Sequence, residues 1–520
     1  HRRWTKFEMK ILITFLTFCS FSALLRPKTA IFSKSCFLSI DSNSESIDYD
    51  FDVAVIGAGP GGSVLATLLA EKRNLKVALI DPNVDKQWVP NYGVWLEEWQ
   101  SLDHLLDIGI GNCLSNIYEC TDCFYGGSHG VENNERLRLN RPYARVSRFE
   151  MRRVLRERFA SAGGKNFPTT VNIETVHHTD YGSKFLLGTN DEIYVKLIVD
   201  CSGHESGLVK RQGPHDPGFQ IAYGIECEIE GPLEPVYDPK AMLFMDYRTD
   251  FAASKKEKES FSKEPTFLYA MPLNETESGK QRIFFEETSL VARPKMSMEA
   301  CKERLYKRLN HHKIKVAKVE EEEFCCIPMG GSLPRFDQRV VAFGGAGGLV
   351  HASTGYMQVR MLAAAKPASD AIGLALSKDT TDYGVFNPDL AAKKVYSAIW
   401  SPNVRLQRDF HVFGGEFLMK QNVEALRGFF NAFFKVPLPL WAGFLSGYPT
   451  LPHNETHSTW EKRFLFGLLL WIQAPLIIKM NLVASSIIFG AEFGLFKSVT
   501  PLSLTEKEIL TSVRIEGALK

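Results

Sequence analysis

The chain has 520 residues, with 61 Lys and Arg against 60 Asp and Glu, 45% hydrophobic residues and ten cysteines. At ~150 residues per domain the length allows two to four domains around a large core, and a net charge of +1 supplies no global basic field for nucleic acid. Hydrophobicity this high excludes general disorder, and the cysteines are too sparse for a disulfide scaffold.

The amino-terminal stretch does not read as fold. From Met9 to Ile40 there is no acid, while Lys10, Arg26, Lys28 and Lys34 are basic. Ile11 to Leu25 is an apolar run followed by the small pair Thr29-Ala30, the layout of a secretory signal peptide. Ser33, Ser35, Ser39, Ser42, Ser44 and Ser46 follow, as in organelle transit peptides. We expect a targeting segment over 1–48 that directs import into a plastid, with Met9 as the start; a plain membrane anchor is the alternative.

A nucleotide-binding start comes next. Asp52 to Ile56 is a short β-branched run, and Gly57, Gly59 and Gly62 fill a G-x-G-x-x-G frame directly behind it. The first glycine allows a tight turn, the second lets backbone approach a pyrophosphate, and the third permits close helix–strand packing. A helix over Ser63 to Lys72 would aim its amides at the phosphates. A second strand, Leu75 to Ile80, ends at Asp81, an acid placed to hold a ribose hydroxyl.

The glycine motif alone does not separate FAD from NAD. Ile198 to Val199 is another apolar strand end, running into Asp200, Cys201, Ser202 and Gly203, and Asp200 and Gly203 are further candidate contacts. Farther on, Val340 to Phe343 reads as a strand that enters Gly344, Gly345, Gly347, Gly348 and Gly355, then a helix to about Leu376. A second glycine-rich strand–helix junction is typical of two-part FAD domains, with the helix's positive end near the flavin. Arg145 and Arg148 are candidate FAD contacts, or surface cations opening the helix from Arg148 to Phe159.

Between those junctions Arg282 to Thr288 has an aromatic strand pattern carrying Glu286 and Glu287. On a regular strand neighbouring side chains point to opposite faces, so the two acids should not share a proton. One would face a cavity, and the other would support it or pair with a base on the far side. Two surface acids on a sheet edge are the alternative. Cys120 and Cys123 form one C-x-x-C without a second ligand pair, and no metal site is expected. The Lys and Glu alternating from Lys255 to Glu264 read as a solvated face.

Near the carboxyl terminus Phe464 to Ile478 and Met480 to Ala491 are uncharged runs separated by Lys479. Neither reaches the roughly 20 residues of a spanning helix, and Pro475 is placed to kink the first. They read as helices on a membrane face or as a buried helical pair. The expected fold is α/β. A Rossmann-like two-part FAD-binding domain (49–217 and 324–376) receives an inserted, mostly antiparallel β substrate domain (218–323). A helical, membrane-facing region (377–520), rich in Phe429, Phe430, Phe433 and Phe434, completes it.

Several blocks together resemble a known family. Trp88 to Trp95, Pro142 to Val146, Phe284 to Thr288, Val350 to Met357 and Arg427 to Phe434 look like the signature blocks of plant- and algal-type lycopene cyclases, in order from about Asp50 to Ser446. Trp88 and the run Thr288 to Pro294 are closer to the β- than the ε-cyclases. The family's W-P-N-N-Y-G stands here as Trp88-Val89-Pro90-Asn91-Tyr92-Gly93, and its H-P-S-T-G-Y has Ala352 for proline. The resemblance implies FAD, acting in its reduced form with NADPH as reductant, and lycopene or related acyclic carotenoids as substrate. It implies a membrane surface and a plastid as setting, no nucleic acid, and β-rings formed without net redox change.

Forming a β-ring requires a proton delivered to a terminal alkene, a stabilised carbocation and loss of a different proton. The first step needs a carboxylic acid kept protonated, which burial favours. The family's acid corresponds to Glu286, leaving Glu287 a secondary role. Aromatic faces and an anionic flavin would hold the cation. A redox flavoenzyme on an isoprenoid and a non-catalytic carotenoid carrier are the rival readings.

Overall fold

The fold is that of a computed structural model, described over residues 48–125, 135–275, 279–377 and 386–501. The targeting segment expected over 1–48 therefore lies outside the described residues, except for Asp48. The described residues from Tyr49 onward belong to one compact unit.

The first sheet grows around Phe51–Ile56, whose Val53, Ala54 and Val55 are wholly buried. Burial on both faces is what a β-branched run without alternation demands, and it suits a parallel sheet. Phe51–Ile56 pairs in parallel with Val77–Ile80 on one side and Glu192–Asp200 on the other. Lys165–Phe167 extends one edge, and Val341–Ala342 joins Glu192–Asp200. Ser183–Leu186 and His177–His178 add antiparallel strands.

The helix after the first strand starts at Pro60, a residue suited to the first helical turn because its missing N–H has no partner there anyway. It runs to Thr67, and a π-helical turn continues it over Leu68–Lys72. The late glycine-rich segment behaves differently from the sequence pattern. Its strand shrinks to Val341–Ala342, and a loop with positive φ at Gly344, Gly348 and Gly355 separates it from the helix Gln358–Leu376. Met361 of that helix packs on Gly61, where an added Cβ would stand 2.4 Å from its sulfur.

The second sheet is ordered Lys315–Met329, Gly218–Glu230, Arg282–Ser289, Thr266–Pro272, Met242–Asp246, Thr121–Phe124 and Arg136–Leu139. It is antiparallel apart from the Met242–Asp246 pairing with Thr121–Phe124. Two of its strands come from 121–139, well before the 218–323 stretch, and another runs on to Met329. One face, with Ile225, Ile283 and Phe285, packs on Leu305 and Leu309 of the helix Met298–His311. The opposite face, with Phe267, Met271 and Phe284, packs on the carboxyl-terminal helices.

Those helices include Pro402–Met419, Val423–Phe433, Leu438–Ser446, Trp460–Gln473 and Leu476–Phe489. Phe429, Phe430, Phe433 and Phe434 are all buried in the same cluster as Phe284. Pro475 does not kink a helix. It precedes Leu476 as the cap of a new one, so the chain breaks inside the first uncharged run and Lys479 lies within the second helix. No described helix is long and apolar enough to cross a membrane.

Candidate active site

Three strand ends meet at the carboxyl edge of the parallel sheet, where open α/β sheets bind ligands. Ile56 lies in register with Asp200, and Asp200 with Ala342. Gly57 has φ +104°, and a Cβ there would stand 2.5 Å from the Cys201 carbonyl oxygen, so the tight turn and the close approach both require glycine. At Gly62 an added Cβ would collide with the Gly57 oxygen at 1.9 Å, whereas at Gly59 it would meet nothing within 4 Å. Gly59 thus borders open space beside the first amides of the Pro60–Thr67 helix. That combination fits a dinucleotide pyrophosphate.

The other sequence-chosen contacts divide. Gly203 has open space around it, and Gly345 packs on the Gly203 backbone, which brings the middle and late glycine segments together. Gly348 has φ +73° in the same loop. Asp81 is engaged with backbone amides of the glycine loop and of its own turn: Oδ2 accepts from the Ala58 amide at 2.8 Å and Oδ1 from the Asn83 amide at 2.6 Å. Asp200 is wholly buried and accepts from the Ser202 amide and the Ser206 hydroxyl, so its carboxylate braces a turn. The Arg145 guanidinium is committed elsewhere, donating to Asn91 Oδ1 and, at 2.6 Å, to Glu226. Trp88 ties this Asn91 segment to the glycine loop by donating from Nε1 to the Ala58 oxygen at 2.9 Å.

Glu286 and Glu287 stand on opposite faces of the second sheet. Glu287 is wholly buried against the Met298–His311 helix, where Arg308 donates to both of its oxygens at 2.9 Å and Thr266 Oγ1 donates at 2.6 Å. Glu286 is half-buried on the face that bears Phe284. It accepts one hydrogen bond, from Thr288 Oγ1 at 2.6 Å. Burial and the nearby Glu323 carboxylate push the Glu286 carboxyl up to about 8, with the Thr288 bond opposing.

Aromatic rings gather on this face. Tyr269 lies directly across from Glu286 on the next strand, and its hydroxyl meets that of Tyr143 at 3.2 Å. Tyr143 packs edge-on against Trp95 with ring centroids 4.9 Å apart, and Phe244 lies 5.2 Å from Trp95. The Tyr356 hydroxyl accepts from the Trp95 amide at 3.0 Å, so the late glycine segment reaches the same wall. One Trp95 face is taken by the Arg141 guanidinium, 4.1 Å from the ring centroid, and Arg141 also donates to the buried Glu98 at 2.8 Å. Burial lifts Glu98 to about 7, against the pull of Arg141.

Sequence reasoning missed Glu323, Gly224 and Tyr269. Glu323 is buried, yet it ends a run of four glutamates that resembles a solvated charged strand. The only signal was parity: on a strand whose side chains alternate, four consecutive acids cannot all share the solvent face, and two of them point to the other one. Among the described residues no cluster of His, Cys, Asp and Glu is arranged to hold a metal ion.

These features define a class: a Rossmann-like, two-part dinucleotide-binding fold with an antiparallel sheet and a helical layer packed on one face of that sheet. A geranylgeranyl bacteriochlorophyll reductase-like protein from Thermoplasma acidophilum shares the fold at TM-score 0.54 and 16% identity, over 74% of this chain and 91% of that one. The halogenase PltM, in a variant solved in complex with FAD, matches at TM-score 0.54 and 13% identity, over 81% and 86%. The family model described as lycopene cyclase protein matches residues 52–460. The chloroplastic and chromoplastic lycopene beta cyclase of Capsicum annuum is 38% identical over 437 residues, 81% of this chain and 82% of that protein. The chain belongs to the lycopene cyclase family.

Proposed function

We propose that this protein is a lycopene β-cyclase, converting the linear ends of lycopene to β-rings in a plastid. The observation that carries the reading is Glu286: an acid on an apolar, aromatic face, with a single donor and a carboxyl lifted to about 8. An acid so placed keeps its proton at neutral pH and can deliver it to an alkene.

The residues divide the work as follows. Glu286 gives its proton to the terminal double bond, which leaves a tertiary cation. The neighbouring double bond attacks that cation, the six-membered ring closes, and loss of a different proton yields the β-ring. Atoms and electrons balance, so the product is an isomer. The π faces of Tyr143, Tyr269 and Phe244 offer the cation electron density without a strong nucleophile. Gly57, Gly59, Gly62, Gly203, Gly345 and Gly348 would hold FAD. When bound in its reduced form, with NADPH as reductant, FAD supplies negative charge that favours a cation.

Substrate reaches such a site from a bilayer. Leu476, Ile477, Met480, Ile487 and Ile488 are exposed on the last long helix, and Leu465 is exposed on the Trp460–Gln473 helix. We assign that surface to membrane docking. Purified protein incubated with lycopene, FAD and NADPH in heavy water without oxygen should yield deuterium-labelled γ- and β-carotene. A product with added oxygen or extra hydrogens would overturn the reading, as would unchanged lycopene.

A further inference from the structure

Gly224 of the Gly218–Glu230 strand is paired on one side with Glu286 and on the other with Glu323. Residues paired across a sheet project from the same face. Neighbouring strands lie about 4.8 Å apart, so the two glutamate Cα atoms stand roughly 10 Å apart with only a glycine between them. Two glutamate side chains can lean across such a gap. The Phe284 ring lies over it, since a Cβ on Gly224 would stand 2.7 Å from that ring. The gap is therefore narrow and apolar, and charges facing each other across it interact strongly.

The hydrogen bonds distinguish the two acids. Glu323 Oε2 accepts from the Asn91 amide at 3.0 Å and from Asn91 Nδ2 at 2.8 Å, while Oε1 accepts from the Cys325 thiol at 2.9 Å. Three donors and no acceptor match an ionised carboxylate. Glu286 has one donor on Oε1, which leaves its other oxygen free to carry a proton. We propose that Glu323 is a positioning residue for Glu286: the pair shares one proton across Gly224, with Glu323 keeping the charge and Glu286 the proton. This rests on reading Glu286 as the acid.

The pairing serves turnover. Each ring closure breaks the Glu286 O–H bond as a C–H bond forms, and another proton leaves a ring carbon. Glu286 must then regain a proton before the next cycle. Beside a fixed Glu323 carboxylate, a second charge is unfavourable, so the proton returns to Glu286. The other titratable groups on or beside this gap do not replace Glu323. Tyr269, Tyr143 and Tyr92 are phenols that burial keeps far above the neutral range. Burial and both acids do the same to the Cys325 thiol, and burial with Glu287 lifts Cys301, on the far face, to about 12. Glu226 is paired with Arg145 and Arg282, and Arg148 with Glu321.

The test is the pH profile of cyclisation by the FAD-loaded enzyme. In Glu323→Gln the alkaline limb of kcat should move down by about one pH unit, the size of shift a neighbouring like charge produces. KM for lycopene should hold, flavin should stay bound, and Glu323→Asp should restore the limb. A lower kcat at every pH with an unmoved limb would mean a merely structural role and overturn the proposal. Full activity in Glu286→Gln would instead overturn the acid assignment itself. Should Glu323→Gln fail to fold, infrared titration of the wild-type carboxyl bands decides. Two coupled steps separated by more than about one pH unit support the shared proton, and a single independent step overturns it.

Discussion

Glu287 and Arg308 are joined by two N–H···O contacts of 2.9 Å, and neither side chain is exposed. Arg308 also donates to the Arg248 carbonyl at 2.8 Å and covers the Phe251 ring. Its nearest other carboxylate, Asp246, is 3.8 Å away and already bound by Arg248. Removing one partner of a buried pair leaves the other charge without compensation, at a cost of about 3–5 kcal/mol. Glu287→Gln should therefore lower stability by about that amount in denaturant unfolding. Its folded fraction should keep the wild-type pH profile, because the sheet backbone separates it from Glu286. Unchanged unfolding would show that Asp246 compensates fully.

Glu286 predicts a linked pair of pH effects. With its carboxyl lifted to about 8, the acid form persists through neutral pH and activity should fall as pH rises past that value. The stability sign follows from proton binding. Between the ordinary carboxyl value and about 8 the folded state binds a proton that the unfolded state has lost, so raising pH through this window destabilises the fold. The contribution is fully present below the unfolded value and gone above about 8. Glu286→Gln cannot ionise, so its Tm should decline less between pH 5 and pH 9 than that of wild type. Parallel declines would show that Glu286 is not the group titrating there.

How far these acids were legible follows from what a strand pattern contains. The opposite facing of Glu286 and Glu287 was readable because alternation is a local property. The strand, glycine turn and helix around Gly57 were readable for the same reason: turn chemistry and hydrophobic runs are local. Glu323 was not, because its burial depends on a pairing with Gly224 a hundred positions earlier. The strands of 121–139 were likewise unreadable as part of the second sheet, since parallel pairing to Met242–Asp246 leaves no local mark. Asp81 and Asp200 stood at the right strand ends, but which backbone amides they bind depends on loops whose course no periodicity sets.

The glycine loop gives a test that separates binding from folding. Gly59 has φ −64°, a value any residue adopts, and a Cβ there meets nothing within 4 Å. Gly59→Ala should fold with near-wild-type Tm yet bind FAD at least about tenfold more weakly, since a methyl group would occupy the phosphate approach. Gly62→Ala should lower Tm or fail to fold, because its Cβ would stand 1.9 Å from the Gly57 oxygen. Flavin fluorescence titration and thermal unfolding read the two effects. Equal FAD affinity in Gly59→Ala would place the pyrophosphate elsewhere.

The exposed apolar face of the last helices gives the final prediction. Ile487 and Ile488 are 76% and 75% exposed, and Leu476 is 69% exposed. Side chains of this size each gain about 1.5–3 kcal/mol on leaving water, so a helix presenting several of them binds lipid firmly without spanning it. Lys479 lies 5.1 Å from the Trp471 ring centroid, a cation and an amphipathic ring of the kind found at headgroup depth. Replacing Ile487 and Ile488 together by Asp should cut binding to phosphatidylglycerol-containing liposomes by at least about tenfold in flotation. Neither side chain faces Glu286, so cyclisation of detergent-dispersed lycopene should persist while liposomal lycopene is converted slowly. Equal loss on both substrates would mean that the helix supports the fold and that docking occurs on another surface.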